Sequence, residues 1–208
     1  MAYAWQQVTD TAAFAPRDGA GALTFKGRMW LLGGWNPDPA YADVFPSVCN
    51  SEVFSSVDGV DWTLELAAAP WEGRHCAGYV VHNDRMWVVG GDINQARYQT
   101  DVWSSADGIE WVCECEVVPW CTPEHPRALH VTVALGEYIY VLGGQTLPKM
   151  AFVRPEGVLP DGEQVYYADC WRSSDGRHWD QIADHLPWAP RVVHKQSLMR
   201  ISIEMAAF

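Results

Sequence analysis

Apolar residues fall in short runs along the whole chain, each stopped by turn residues. The runs are GALTF, RMWLLGG and EVFSS, then GYVV, RMWVVGG and DVWSS, then HVTVA, YIYVLGG and DCWRSS. They are rich in Val, Trp, Tyr and Leu and too short for helices bounded by Gly and Asp, so they predict β-strands. Each set closes with a further strand that starts at a Trp, giving four strands per unit. Asp-Gly between the third and fourth strands is a hairpin signal, because Gly accepts the positive φ a tight turn needs.

The runs repeat in register. Diglycines stand at Gly33-Gly34, Gly90-Gly91 and Gly143-Gly144, 57 and 53 residues apart. Arg17, Arg74 and Arg127 each precede the first of these glycines by 16 residues. A second signature follows each diglycine: SSVDGVDW at Ser55–Trp62, SSADGIEW at Ser104–Trp111 and SSDGRHW at Ser173–Trp179. In all three, Asp and Gly lie four and three residues before the Trp. The next arginine comes 12 residues after Trp5, Trp62 and Trp179, and 16 after Trp111. The diglycine is expected to end the second strand where the backbone passes close to a neighbour. The recurring Trp is expected to fill the space between units.

The arginine before the first strand, the aromatic-apolar run into Gly-Gly and the spaced Trp together resemble the kelch repeat. The resemblance covers about residues 4–194. It implies an all-β fold: a kelch-type β-propeller of the galactose oxidase superfamily, with four-stranded blades around a central channel. The chain then reads as one partial propeller over 1–208, with three complete blades at about 17–66, 74–115 and 127–183. Partial blades flank them: a lone fourth strand in 4–9 (Trp5 to Val8), and a unit at 191–208 that leaves the pattern after about Gln196. Glu204 stands where the earlier units have Trp30, Trp87 and Tyr140. Three blades do not close the usual ring. The expectation is a piece of a longer propeller, cut by truncation or frameshift, or self-association through open blade edges.

Composition narrows the partners. A net charge of −12 repels phosphate backbones and anionic membrane surfaces, so nucleic-acid and membrane partners are not expected. The 12 Trp fit a copied Trp-bearing unit. No apolar run approaches a membrane helix, and the N-terminus shows no secretory pattern, so a cytoplasmic location is expected. The six cysteines include no C-x-x-C pair. They read as small buried thiols, with a disulfide among Cys113, Cys115 or Cys121 as the alternative.

The candidate ligand-binding residues are Arg17, Arg74, Arg127 and Arg191, each opening a first strand and so ringing one mouth of a propeller. In kelch adaptors of ubiquitin ligases, arginines at this kind of position contact acidic peptides, so the resemblance implies an anion or carboxylate site. Should each arginine pair with an acid of its own blade, it is structural instead. Trp71 and Trp188 precede their arginines by three residues and Trp120 by seven; they suit peptide or sugar recognition, or packing between blades. Phe14 holds the same place in the first unit. His75, His130 and His194 recur beside the arginines at unequal offsets, so no metal site is expected from them. The copper-oxidase arrangement cannot be located, and no cofactor is expected.

The loops after the second strands differ most. Trp35, Tyr41, Phe45, Phe152, Arg154, Tyr166 and Tyr167 are candidates to line a surface there. No nucleophile-base pair is evident and no catalytic residue is assigned. The favoured function is a binding or scaffold module for a protein segment or a small anionic or carbohydrate ligand. The alternatives are a sugar-acting enzyme, of sialate-mutarotase or carbohydrate-oxidase type, using Arg74, His75, His130 or Glu124, and a truncated fragment without function.

Overall fold

The computed structural model describes residues 4–36, 49–93, 97–146 and 165–190. Among these residues every regular element is a strand. The first sheet comprises β1 (Gly21–Phe25), β2 (Arg28–Trp35), β3 (Cys49–Ser56) and β4 (Thr63–Leu66). The second comprises β5 (Gly78–His82), β6 (Arg85–Val89), β7 (Val102–Ser105) and β8 (Trp111–Cys115). The third comprises β9 (Val131–Leu135), β10 (Tyr138–Leu142), β11 (Cys170–Ser173) and β12 (Asp180–Ala183). Each is an antiparallel meander in sequence order. The first strands lie side by side, β1 against β5 and β5 against β9, so the sheets are arranged like propeller blades.

Local chemistry closes the hairpins. Lys26-Gly27 and Asn83-Asp84 join first to second strands with positive φ at both residues, as a tight twisted turn requires. Between third and fourth strands, one hydrogen-bond set is built three times. Asp107 Oδ1 accepts from the Ile109 and Glu110 amides at 2.8 and 2.9 Å, and Ser105 Oγ accepts from the Gly108 amide at 2.8 Å. The Trp111 indole donates to the Gly108 carbonyl at 3.1 Å. Asp58 and Asp175 repeat it with Trp62 and Trp179. All three carboxyls lie below the usual range: at Asp107 and Asp175 burial is the largest single influence and opposes ionisation, but the amide donors and the serine together outweigh it, and at Asp58 the Asp61 and Val60 amides lead.

Blades meet where glycine leaves room. A Cβ on Gly108 would lie 2.2 Å from the Trp30 ring of the preceding blade, and one on Gly176 would lie 2.3 Å from Trp87. The core is correspondingly rich in indoles: Trp71 packs edge-on against Trp111 at 5.8 Å, and Trp120 against Trp179 at 5.6 Å. Phe14 packs against Trp62 in the same manner at 5.1 Å. The lone fourth strand expected at Trp5 to Val8 is not a strand in the structure. It has no third strand beside it to pair with among the described residues, and Trp5 is 96% exposed. The six cysteines are free thiols. The off-pattern unit at 191–208 lies outside the described residues. No described helix is long and apolar enough to cross a membrane.

Candidate functional site

Each blade has two ends. One holds the hairpin turns; the other holds the arginine, the diglycine and the connections between neighbouring strands. The arginines are buried at the second end and already engaged. Arg74 Nη1 donates to the Gly90 carbonyl at 2.8 Å and to Asp101 Oδ1 at 2.7 Å, and Nη2 reaches Asp101 Oδ2 at 3.1 Å. Arg127 makes the same contacts to the Gly143 carbonyl (3.0 Å) and to Asp169 (2.6 and 2.7 Å). Arg17 binds the Gly33 carbonyl and Asn50 at 3.0 Å and Glu52 at 2.7 Å. Indoles secure two of the acids: Trp103 donates to Asp101 at 2.7 Å and Trp171 to Asp169 at 2.9 Å. Asp101 lies below the usual carboxylate range: burial opposes ionisation, and Arg74 and Trp103 outweigh it. The three arginine side chains are 3%, 0% and 3% exposed, and each pairs with an acid of its own blade. That is the arrangement of a structural arginine: it ties the diglycine carbonyl to the third strand.

The other sequence candidates divide. Trp71 and Trp120 are buried in the core and offer no surface, while Trp188 is partly exposed. His130 is buried, bonded through Nδ1 to Thr132 Oγ1 at 2.9 Å and packed on Trp120. Burial and the Arg127 charge push it down to about 3, so it is neutral. Tyr167 lies under the Arg127 guanidinium at 3.8 Å, and its hydroxyl donates to the Pro126 carbonyl. Arg191, His194, Tyr41, Phe45, Phe152 and Arg154 lie outside the described residues.

His75 is the exception, because it sits among reactive groups. Just after each arginine the backbone takes one shape in all three blades. The residue after Arg bridges to the residue after Gly-Gly: Asp18 to Trp35, His75 to Asp92, Ala128 to Gln145. The next residue has positive φ: Gly19 at 62°, Cys76 at 53° and Leu129 at 57°. In the second blade this places His75 Nδ1 3.0 Å from Asp92 Oδ1 and His75 Nε2 3.2 Å from Cys76 Sγ. From the first blade, Asp18 Oδ2 approaches Nε2 at 3.6 Å. Gly19 makes that approach possible, since a Cβ there would lie 2.3 Å from the imidazole. The Cys76 amide donates to the Gly19 carbonyl at 3.1 Å, locking the two blades together. Burial works against a charge on His75, but Asp92 and Cys76 outweigh it and raise the imidazole to about 10. Burial also raises the Cys76 thiol, more than His75 lowers it.

Sequence reading missed Asp18, Cys76 and Asp92. The signal was present: these residues stand immediately after the repeated Arg and Gly-Gly, at positions where the three units disagree.

No family model matches the sequence, and no curated protein matches it either. Among solved structures the chain is similar to one titled "Structure of YjhT", with a TM-score of 0.61 and 16% identity. The match covers 82% of this chain and 57% of that one. The fold is that of a β-propeller. At this identity the likeness concerns the fold alone, and this chain spans just over half the length of its structural neighbour.

Proposed function

We propose that the chain is a carbohydrate-binding propeller module of kelch type, with its site at the arginine-diglycine end of the blades. One observation carries this reading. At that end the repeats keep one backbone but change their side chains: Asp18, His75 and Ala128 at one position, Trp35, Asp92 and Gln145 at its partner. What a fold needs in every blade is repeated in every blade; what differs on a common frame is free to serve a ligand. A carboxylate and an imidazole suit sugar hydroxyls, and Trp35, whose backbone bridges to Asp18, adds an aromatic residue to the same end. With the arginines engaged by their own acids, these groups replace them as recognition candidates.

Amide NMR of the full chain, titrated in turn with neutral sugars, sugar acids and acidic peptides, tests the proposal. Shifts are expected with a sugar, centred on Asp18, Trp35 and His75. Binding of peptides alone, or shifts centred on the turns at Asp58, Asp107 and Asp175, would overturn it.

A second reading has its own support. The His75–Asp92 contact holds an oriented imidazole against a carboxylate, which fits a sugar-acting enzyme. His75→Gln would then abolish turnover of a bound sugar while leaving its binding within a few-fold.

A further inference from the structure

We propose that Asp18, His75 and Cys76 form a binding site for a divalent transition metal, Zn2+ in the first place, with Asp92 orienting His75 from behind. The inference goes beyond sugar binding and holds with or without it.

Three observations converge. The donors are a carboxylate, an imidazole and a thiol, the oxygen, nitrogen and sulfur set that zinc takes. In a tetrahedral site with bonds of about 2.0–2.3 Å, ligand atoms lie about 3.3–3.6 Å apart. His75 Nε2 stands 3.2 Å from Cys76 Sγ and 3.6 Å from Asp18 Oδ2, two separations of that size about one imidazole nitrogen, and metal binding there releases the imidazole and thiol protons. The other imidazole nitrogen meets Asp92 Oδ1 at 3.0 Å, and Asp92 is fully buried. A metal-bound histidine characteristically gives its second N–H to such a carboxylate, which fixes the tautomer and the ring.

The backbone holds the donors in place. Positive φ at Gly19 and Cys76 turns both segments at the site, and the Cys76 amide bond to Gly19 fixes the first blade against the second. The third blade places Ala128 and Leu129 at the positions of His75 and Cys76 and offers no such donors, so one site is expected rather than a ring of them. Three protein donors leave a fourth coordination position. Asp18, its side chain 77% exposed, leaves that position open to solvent.

The test uses the full chain, freed of metal and kept reduced with a non-chelating phosphine. Titration with Co2+, followed by absorption, is expected to give one tightly bound equivalent with tetrahedral d–d bands and a thiolate-to-cobalt charge-transfer band. One equivalent of Zn2+ should displace it. Cys76→Ser should remove the charge-transfer band and Cys113→Ser should leave it. Asp92→Asn should weaken Zn2+ binding about 10–100-fold with the band retained, and Asp18→Asn should weaken it at least about tenfold, by loss of a charged ligand. Circular dichroism reports whether each variant keeps its sheets; if Cys76→Ser does not, the exposed Asp18 decides in its place. Absence of Co2+ binding, a band that survives Cys76→Ser, or Zn2+ affinity unchanged in Asp18→Asn would overturn the site. No sugar is present in these titrations, so failure here is separate from failure of the carbohydrate reading.

Discussion

At the turn end of the blades, Ser56, Ser105 and Ser173 and the aspartates two residues after them make one set of hydrogen bonds three times, agreeing to within about 0.2 Å. At the arginine end the backbone is equally regular, yet the side chains on it are Asp, His and Ala in one ring of positions and Trp, Asp and Gln in the next. Within one chain, repetition therefore separates what the fold consumes from what it leaves over. The buried arginines belong to the first class although they sit among the second. Chemically they resemble ligand-binding groups, but their hydrogen bonds go to the diglycine carbonyl and a blade acid.

The sharpest way to break this comparison is to strip one arginine of its acid. Asp169→Leu leaves the Arg127 guanidinium buried without a counter-charge, and removing one partner of such a pair costs about 3–5 kcal/mol. Urea denaturation should show the loss. Glu52→Gln in the first blade should cost far less, because Asn50 still holds Arg17 and Glu52 is one-third exposed. A cost for Asp169→Leu below about 1 kcal/mol would mean that the guanidinium finds water or another partner easily, and the arginines would return as ligand candidates.

The glycines of the turns come next. Gly108→Ala places a methyl against the Trp30 ring at a φ of 84°, and overpacking plus backbone strain should cost about 2–3 kcal/mol. Gly59 has a similar φ of 79°, but its Cβ would press only on the flexible end of Met29 at 3.2 Å, with Val8 at an ordinary contact distance of 3.8 Å, so Gly59→Ala should cost about 1 kcal/mol. The difference between the two isolates contact between blades. Equal losses would show that the turn, and not the packing, makes glycine necessary.

Acid should find His130. Its imidazole is held neutral down to about 3 in the folded chain, while the unfolded chain takes up a proton near the ordinary value of 6.5. The unfolded state then binds more protons between those values, so stability is complete above about 6.5 and falls as pH drops through that window. One unit below the ordinary value the loss is about 1.4 kcal/mol. Denaturation midpoints measured across that window, in the parent and in His130→Gln, should show the pH slope reduced in the variant. An unchanged slope would assign acid sensitivity to other groups.

The fold was legible because its determinants are local. Gly-Gly, Asp-Gly and the Trp three residues after that Gly are short-range signals, and each marks one turn or one strand end. The pairing of the arginines was not, because their acids lie 27, 35 and 42 residues away and are not spaced alike. The lone strand expected at Trp5 failed for a related reason: a Trp at the right distance from an arginine marks a repeat boundary, but a strand also needs a partner strand. Asp18 and Asp92 were hidden differently. They are chemically ordinary until two blades are side by side, and only the contact across them places Asp18 on the His75 ring.

The smallest expected effect on stability belongs to Asp18→Asn. The Asp18 carboxylate accepts from the Gly19 amide at 2.8 Å through Oδ1, and an asparagine oxygen can accept the same bond. Its side chain is largely exposed, so its 3.6 Å approach to His75 is screened by solvent and stabilises little. The substitution should therefore move the denaturation free energy by less than about 0.5 kcal/mol, while metal and sugar binding at the mouth fall. That split is what the comparison demands of a side chain left over by the repeat. A loss of several kcal/mol without any loss of binding would place Asp18 with Asp101 and Asp169, as another member of the frame.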